Sequence, residues 1–492
     1  MLCLTLTGSA LRENLKTAVK YRDKADILEL RIDLLNRSEY DSAHSFPGLL
    51  RNSMKNPPRL ICTVRRETDG GKFRGTESER VRLIASLADA PAVPDYIDME
   101  EDFSPDDLTR TLRNKGITII RSFHDFTGVP IDLTRRINSL TRREDEIPKA
   151  AVMPESSAAF LDLIKAYREL GLLRNPRRRK VILLGMGEYG IPTRILAPLL
   201  GSWITFCSPP GTEAAPGHAD PDLLLDLYRY GSINTETDIF GVIGYPVAHS
   251  RSPHFHNPRF RERGRNAVYL PFLVDSVTPF LESAEILNIQ GLSVTIPHKK
   301  AVIPHISACD DTVRASGACN TMYRSGGAWR GTNTDIPGFL APLEGITLKN
   351  MDTAVIGAGG AARGIIWALI GKGAKVTVYN RTPEKARKAA EELSALGSTE
   401  VTGRHLDDLG AGGTPGLIVQ CTSVGMHPRI SEDPVPGYRF RGSEIVYDII
   451  YTPVKTAFIK RAEKSGCRII TGDSMFTAQA EQQFSLFSGS PS

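Results

Sequence analysis

The chain has 492 residues, of which 41% are hydrophobic, 24% charged and 7% aromatic, a globular composition that excludes a disordered, collagen-like or coiled-coil chain. Its 61 Lys and Arg against 56 Asp and Glu leave a net charge of +5, too mild at this length to point to nucleic acid. No stretch approaches the roughly 18 consecutive apolar residues of a membrane span, and the scattered Cys3, Cys62, Cys207, Cys309, Cys319, Cys421 and Cys467 contain no C-x-x-C pair, which predicts reduced thiols rather than a disulfide framework or zinc site.

The first segment, residues 2–6, is too short for a signal peptide before Arg12 and Glu13 and reads as a strand. Further candidate strands follow at 27–32, 60–64, 96–99, 117–122, 150–153, 180–184 and 204–207. Helical patterns such as 77–89 and 156–170 lie between them, and this alternation predicts parallel strands with helical crossovers. Eight such strands over about 225 residues predict a (β/α)8 barrel, closed by a helix at 223–228. The basic run Arg177-Arg178-Arg179-Lys180 reads as a solvated loop between helix and strand.

Charged side chains gather at the ends of these strands: Glu29, Arg31, Arg65, His124 and Lys149. The C-terminal strand ends form the active face of such barrels. Lys149 sits at the start of the apolar run 150–153. A lysine there is costly unless paired or used, and burial favours the neutral amine that a Schiff base needs. The plainer alternative is a lysine snorkelling at the barrel rim. His124 is the natural general acid or base near neutral pH, with a hydrogen-bonded rim histidine as the alternative.

A short polar connection at 231–238 leads to a strand at 239–243, so a domain boundary is expected near 235, with a second split within 335–349. Two turns fit a dinucleotide pattern, Gly185-x-Gly187-x-x-Gly190 and Gly357-x-Gly359-x-x-Ala362. The pattern needs a tight turn, close backbone approach to a pyrophosphate, a helix N-terminus and a second strand ending in a ribose-reading residue. The second turn meets these demands, with a helix at 361–371 and a strand at 375–379 ending in Asn380-Arg381-Thr382. Arg381 stands where NAD would call for a carboxylate and suits a 2′-phosphate, so NADP is expected. The first turn has no charged follow-up at 205–208 and reads as a seventh barrel loop that presents Arg194 to an anion. Ser250 and Ser252, two apart after a strand, can share one pocket, while Lys299 and Asp335 lie near strand ends. A Lys–Asp pair can shuttle a proton to an alkoxide formed by hydride transfer; a structural ion pair is the alternative.

Glu29-Leu30-Arg31, Thr63-Val64-Arg65, Ser122-Phe123-His124-Asp125 and Ile147-Pro148-Lys149 together resemble type I 3-dehydroquinate dehydratase over about residues 1–230. The resemblance implies an imine between Lys149 and the substrate ketone. His124 would remove a proton α to it and return one to the departing hydroxyl. Glu29 and Arg31 would shape the site, Arg65 would hold ring hydroxyls and Arg194 would pair with the substrate carboxylate. Three positions depart from the family pattern: Asp69 for Glu, Thr193 for Ser beside Arg194, and Ala214-Ala215-Pro216-Gly217-His218 for a Ser-Ala-Pro-Gly-Gln lid.

Residues 239–492 resemble shikimate dehydrogenase along their whole length. Ser250, Ser252, Thr295, Lys299, Asn320, Asp335, Tyr451 and Gln479 match substrate-site positions. Gly357, Ala358, Gly359, Gly360 and Ala361 match the NADP motifs, as do Asn380, Arg381 and Thr382; Thr422 and Met426 match the loop near the nicotinamide, and Gly472 is counted with the cofactor-binding residues. Ser293 stands where most bacterial single-domain members carry Asn.

The expected architecture is α/β: an N-terminal (β/α)8 TIM barrel over 1–230, a substrate-binding lobe over 237–340, and a Rossmann NADP-binding lobe over 341–492 whose last helix returns to the substrate lobe. The implied function is bifunctional: dehydration of 3-dehydroquinate to 3-dehydroshikimate, then reduction to shikimate with NADPH. Alternatives are a catabolic quinate/shikimate dehydrogenase and a non-catalytic sensor of quinate/shikimate metabolites; a sensor would be expected to lose residues such as Lys149, His124, Lys299 or Asp335, all of which are present. Small-molecule substrates are the expected partners, with no metal, nucleic acid or membrane, in a monomer or weak oligomer. No transit peptide is read, so a cytoplasmic location is expected, or a plastid one for a processed plant protein.

Overall fold

The computed structural model describes residues 1–175, 179–212, 214–395 and 400–489. Arg177 and Arg178 of the basic run lie outside the described residues. The chain divides into two compact units, Met1–Ile289 and Gln290–Ser492.

The first unit opens with eight parallel strands: β1 (Leu2–Leu6), β2 (Ile27–Arg31), β3 (Arg59–Thr63), β4 (Tyr96–Glu100), β5 (Thr118–Asp125), β6 (Ile147–Val152), β7 (Ile182–Gly185) and β8 (Thr205–Cys207). They run in the order β7-β6-β5-β4-β3-β2-β1-β8, with helices such as Glu77–Asp89 and Ser157–Glu169 between them. This is the expected barrel with one loose seam. β8 is only three residues long, and among the described residues β7 and β8 are joined by Trp203 N donating to Val181 O (2.7 Å) and Leu183 N donating to Ser202 Oγ (3.2 Å).

Side chains alternate between the two faces of each strand. One set is apolar and buried, as with Leu28, Leu30, Ile97 and Met99. The other set carries the polar side chains of the barrel, mixed with Ile61, Ile120 and Ile182. The register places Thr5 beside Glu29, Arg31 beside Thr63, Thr63 beside Asp98, Glu100 beside Ser122, and Ser122 beside Lys149. β5 continues through His124, and β6 starts at Ile147, so His124 and Lys149 lie inside strands rather than beyond or at the start of one. Pro148 gives up one ladder donor and interrupts the strand pattern in the sequence. Leu223–Leu227 forms a π-helical turn rather than a regular closing helix.

The first unit continues through β9 (Asp238–Gly244) and β10 (Ala267–Leu273), paired in parallel over their whole lengths. Helix Val277–Leu287 then packs on the barrel helix Ser157–Glu169, and Phe272 meets Phe160 edge-on at 6.4 Å. These apolar contacts carry the compact unit past residue 235.

The second unit begins within β11 (Ile289–Val294) and continues through β12 (Ala308–Cys309), β13 (Thr321–Ser325) and β14 (Ala328–Thr332). β13 lies antiparallel to both β11 and β14, and β12 pairs in parallel with β14. A six-stranded parallel sheet follows: β15 (Asp352–Ile356), β16 (Lys375–Asn380), β17 (Val401–His405), β18 (Leu417–Gln420), β19 (Ile445–Asp448) and β20 (Arg468–Ile470), in the order β17-β16-β15-β18-β19-β20. The order reverses between β15 and β18, which in a doubly wound sheet is where a crevice opens at the C-terminal strand ends. Helix Gly360–Gly371 buries Ile365, Ile366 and Leu369 in one core with Val355, Val376 and Val419.

Candidate active sites

The barrel holds a cavity of about 50 Å³ lined by Glu29, Arg31, Arg65, His124, Lys149 and Arg194 among others. Lys149 Nζ donates to Asp98 Oδ2 (2.8 Å) and lies 4.3 Å from the centre of the Phe206 ring. Arg65 donates to Asp98 Oδ1 (2.7 Å), Glu100 Oε1 (2.8 Å) and Ser122 Oγ (3.0 Å), and Ser122 Oγ donates to Asp98 Oδ1 (2.6 Å). Burial works against the Asp98 carboxylate, but the Arg65 and Lys149 charges outweigh it and hold its carboxyl far below the usual range. Glu29 accepts from Thr5 Oγ1 (3.0 Å) and Thr63 Oγ1 (2.8 Å), and Arg31 is held bidentately by Asp33 (2.9 and 2.7 Å).

His124 Nδ1 is buried with no hydrogen-bond partner. Burial, then the Arg65 and Lys149 charges, push its pKa well below the ordinary histidine value, so the ring is neutral. Arg194 Nε donates to Gly185 O (3.0 Å) and Nη2 to Pro216 O in the lid (3.4 Å), while its Nη1 is buried with no partner. Burial brings its pKa down to about 10, which leaves it cationic at neutral pH. The lid is also held by Gly187 N donating to Pro216 O (3.2 Å). His218 stacks on Phe206 at 6.4 Å with its Nδ1 buried and unpartnered. Burial and the Arg194 and Arg31 charges lower its pKa too. Asp69 accepts from Arg66 Nε (2.7 Å) and is not a lining residue of the cavity.

The two glycine turns differ in what fills them. A Cβ on Gly185 would lie 2.6 Å from Gly190 Cα, and one on Gly190 only 2.3 Å from the Gly185 carbonyl carbon. Those glycines are needed because strand and helix touch, and no room is left for a phosphate. A Cβ on Gly359 or Gly360 would meet nothing within 4 Å. Gly357, with φ +113°, makes the tight turn at the end of β15 and faces Thr422 beyond β18 across the crevice. The open turn leads into the N-terminus of helix Gly360–Gly371, the arrangement that receives a pyrophosphate. At the end of β16, Asn380 Nδ2 donates to Thr382 O (2.9 Å), and the adjacent Arg381 is exposed. Ala358 and Ala361 flank the turn, and Met426 is exposed. Gly472 begins the last helix, where a Cβ would strike Ile449 O at 2.4 Å, so its need is also met by backbone packing.

Lys299 Nζ donates to Asp335 Oδ2 at 2.5 Å. Asn320 Nδ2 donates to Asp335 Oδ1 (2.8 Å) and to Thr334 Oγ1 (3.0 Å), and Asn320 Oδ1 accepts from Thr334 N (2.8 Å). Backbone bonds from Cys319 N to Lys299 O (2.8 Å) and from Val294 N to Asn320 O (2.7 Å) fix these segments together. Gln479 accepts from Thr334 Oγ1 (3.3 Å), and Tyr451 packs on Phe476 at 5.1 Å. Thr295 follows β11 and is half-buried. In the first unit, the Ser252 N–H donates to Ser250 Oγ (3.3 Å) as helix Ser252–Glu262 begins.

Asp98, Glu100, Ser122 and Phe206 are site residues that sequence reasoning missed. So is Gln483, which accepts from Ser293 Oγ (2.7 Å) and donates to Thr321 Oγ1 (2.9 Å). The signal for Asp98 and Glu100 was two carboxylates on one face of an otherwise apolar strand. Among the described residues no group of three or more His, Cys, Asp or Glu could hold a metal, and no helix is long and apolar enough to cross a membrane.

Three family profiles match the chain: type I 3-dehydroquinase over 2–235, the shikimate dehydrogenase substrate-binding domain over 242–322, and shikimate/quinate 5-dehydrogenase over 341–428. The chloroplastic bifunctional 3-dehydroquinate dehydratase/shikimate dehydrogenase of Arabidopsis thaliana is 30% identical over 502 residues, covering 97% of this chain and 80% of that one. The shikimate biosynthesis protein AroDE of Chlamydia pneumoniae is 30% identical over 498 residues, covering 99% and 95%. The NADP(+) shikimate dehydrogenase of Moorella thermoacetica is 37% identical over 265 residues, covering 52% and 90%. With both halves matched and full-length relatives in hand, the chain belongs to the bifunctional 3-dehydroquinate dehydratase/shikimate dehydrogenase family.

Proposed function

We propose that the barrel, residues 1–230, dehydrates 3-dehydroquinate to 3-dehydroshikimate, and that residues 237–492 reduce this product to shikimate. The observation that carries the reading is Lys149 bonded to Asp98 in the same small cavity as a neutral His124 and an Arg194 with an idle N–H. Arg194 takes the substrate carboxylate, and Arg65, Arg31 and Glu29 hold the ring hydroxyls. Once its ammonium has given up a proton, the Lys149 amine adds to the ketone, and loss of water leaves an imine. His124 takes the proton α to the imine carbon, the imine nitrogen accepts the electron pair, and His124 returns a proton to the departing hydroxyl. Hydrolysis of the imine frees the lysine.

In the second half, the open turn at Gly357, Ala358, Gly359, Gly360 and Ala361 fits an NADP pyrophosphate. Arg381, with Asn380 and Thr382, would hold the 2′-phosphate; Thr422, Met426 and Gly472 would border the nicotinamide side. The cofactor, when bound, would supply a hydride to the ketone carbon. Lys299 delivers a proton to the ketone oxygen, and Asp335, oriented by Asn320, keeps Lys299 in place. Ser250, Ser252, Thr295, Tyr451 and Gln479 are assigned to substrate binding. Five of the seven thiols are buried and all are free, which supports a reducing, cytoplasmic setting.

Feeding 3-dehydroquinate and NADPH to the full-length chain should produce enone absorbance and consume NADPH. Borohydride with 3-dehydroquinate should add a ligand mass to the peptide carrying Lys149. Dehydration with that peptide unlabelled would overturn the imine, and enone formation without NADPH use would overturn the coupled reading.

A further inference from the structure

We propose that Asp275, which lies beyond the barrel in the loop after β10, is a positioning residue for the dehydration site. The inference rests on the dehydratase reading and adds a residue from outside the barrel to it. Asp275 Oδ1 accepts from both Ser157 N and Ser157 Oγ, each at 2.7 Å. In return, Ser157 Oγ accepts from Asp275 N (3.2 Å) and Ser276 N (3.4 Å). The Tyr189 side chain, in the helix Gly187–Ile195 that packs against β10, lies near Asp275, and burial together with the Asp275 charge raises its pKa. Asp275 is itself exposed, but Ser157 is 1% exposed. Burial acts against the Asp275 carboxylate, and the Ser157 donors outweigh it and hold its carboxyl below the usual range.

The two segments joined in this way are the ones that serve the cavity. Ser157 starts the helix that follows β6, the strand of Lys149. Tyr189 lies in helix Gly187–Ile195, which carries Arg194. The first residue of that helix, Gly187, donates to lid carbonyl Pro216 O, and Arg194 donates to the same oxygen. Asp275 therefore ties the Lys149 side of the rim to the helix that sets both the carboxylate-binding arginine and the lid. A hydrogen-bond staple between two loops lowers the freedom each must lose when substrate binds. Its loss should appear in substrate binding more than in the chemical step.

Asp275→Ala in the full-length chain should raise KM for 3-dehydroquinate about three- to tenfold, with kcat changed by less than about twofold. Reduction of 3-dehydroshikimate should keep its native kcat and KM. Asp275→Asn retains an acceptor for Ser157 and should recover most of the loss. Tyr189→Phe removes only one hydroxyl and gives the same readout, about two- to threefold, if Asp275→Ala does not fold. A folded Asp275→Ala chain with native dehydration KM would overturn the inference, as would equal losses in both activities. If the unmodified chain forms no enone, the dehydratase reading itself falls.

Discussion

Asp98 is the residue on which the barrel site turns. It receives Arg65, Ser122 and Lys149 at once, in a position 1% exposed. A carboxylate between two buried cations cannot be neutralised cheaply, because each partner left unpaired costs several kcal/mol. Asp98→Asn should therefore lower barrel stability by about 3–5 kcal/mol in denaturant titrations, and a loss under about 1 kcal/mol would show the charges are met elsewhere. The lid offers a milder case. Ala214→Ser with His218→Gln would add one or two hydrogen bonds, about 0.5–3 kcal/mol, and should lower KM for 3-dehydroquinate; an unchanged KM would mean the stacked His218 already makes up the contact. Lys149, His124 and Arg65 were legible because each sits in a short motif beside an apolar run. Asp98 was not, since its partners come from three other strands and only the register brings them together.

At the level of elements, the two glycine turns look alike in sequence and differ in what lies above them. Gly190 is required by the contact between β7 and its helix, whereas Gly359, at φ −83°, has open space around it. Gly190→Ala should overpack the barrel and cost at least about 1–3 kcal/mol, with no bearing on cofactor affinity. Gly359→Ala should leave stability within about 0.5 kcal/mol but weaken NADPH by roughly tenfold or more, because the methyl group takes the space a pyrophosphate needs. Equal cofactor affinities for the native and Gly359→Ala chains, measured by titrating NADPH fluorescence, would remove that turn from the site. The sequence could rank the turns only through Arg381, a charge one strand further on. The packing that makes Gly190 obligatory depends on a helix angle that local spacing does not encode. The same holds for the strand limits: β6 reaches back through Pro148, which reads locally as an interruption.

For the whole molecule, local patterning marks where the barrel's repeats stop, near residue 235, while the compact unit runs to Ile289. The difference arises because helix Val277–Leu287 buries its apolar face on a barrel helix more than 100 residues earlier, a pairing that no window of sequence contains. The second unit also holds a carboxylate whose ionisation bears on its stability. Asp448, at the end of β19 in the second unit, is 1% exposed and accepts from Ile450 N (3.0 Å) and Thr456 Oγ1 (2.7 Å). Burial outweighs these donors and pushes its carboxyl up to about 6. An unfolded aspartate titrates near 3.9, so the folded unit holds this proton more tightly than the unfolded chain does. Stability from this group therefore falls as pH rises from about 4 to about 6 and is level above that, the reverse of a salt-bridged carboxylate. The penalty should be about 1 kcal/mol at pH 4.5 and about 3 kcal/mol at pH 7.5. Asp448→Asn keeps an acceptor for Ile450 and an amide that can donate to Thr456, so it should remove the penalty without opening a cavity. In calorimetry, the second unit's transition is the one that moves up with added NADP. Asp448→Asn should raise that transition clearly at pH 7.5 and little at pH 4.5, and leave the barrel transition in place. A gain of the same size at both pH values would show that the carboxylate is not the source, and that the substitution acts through packing instead.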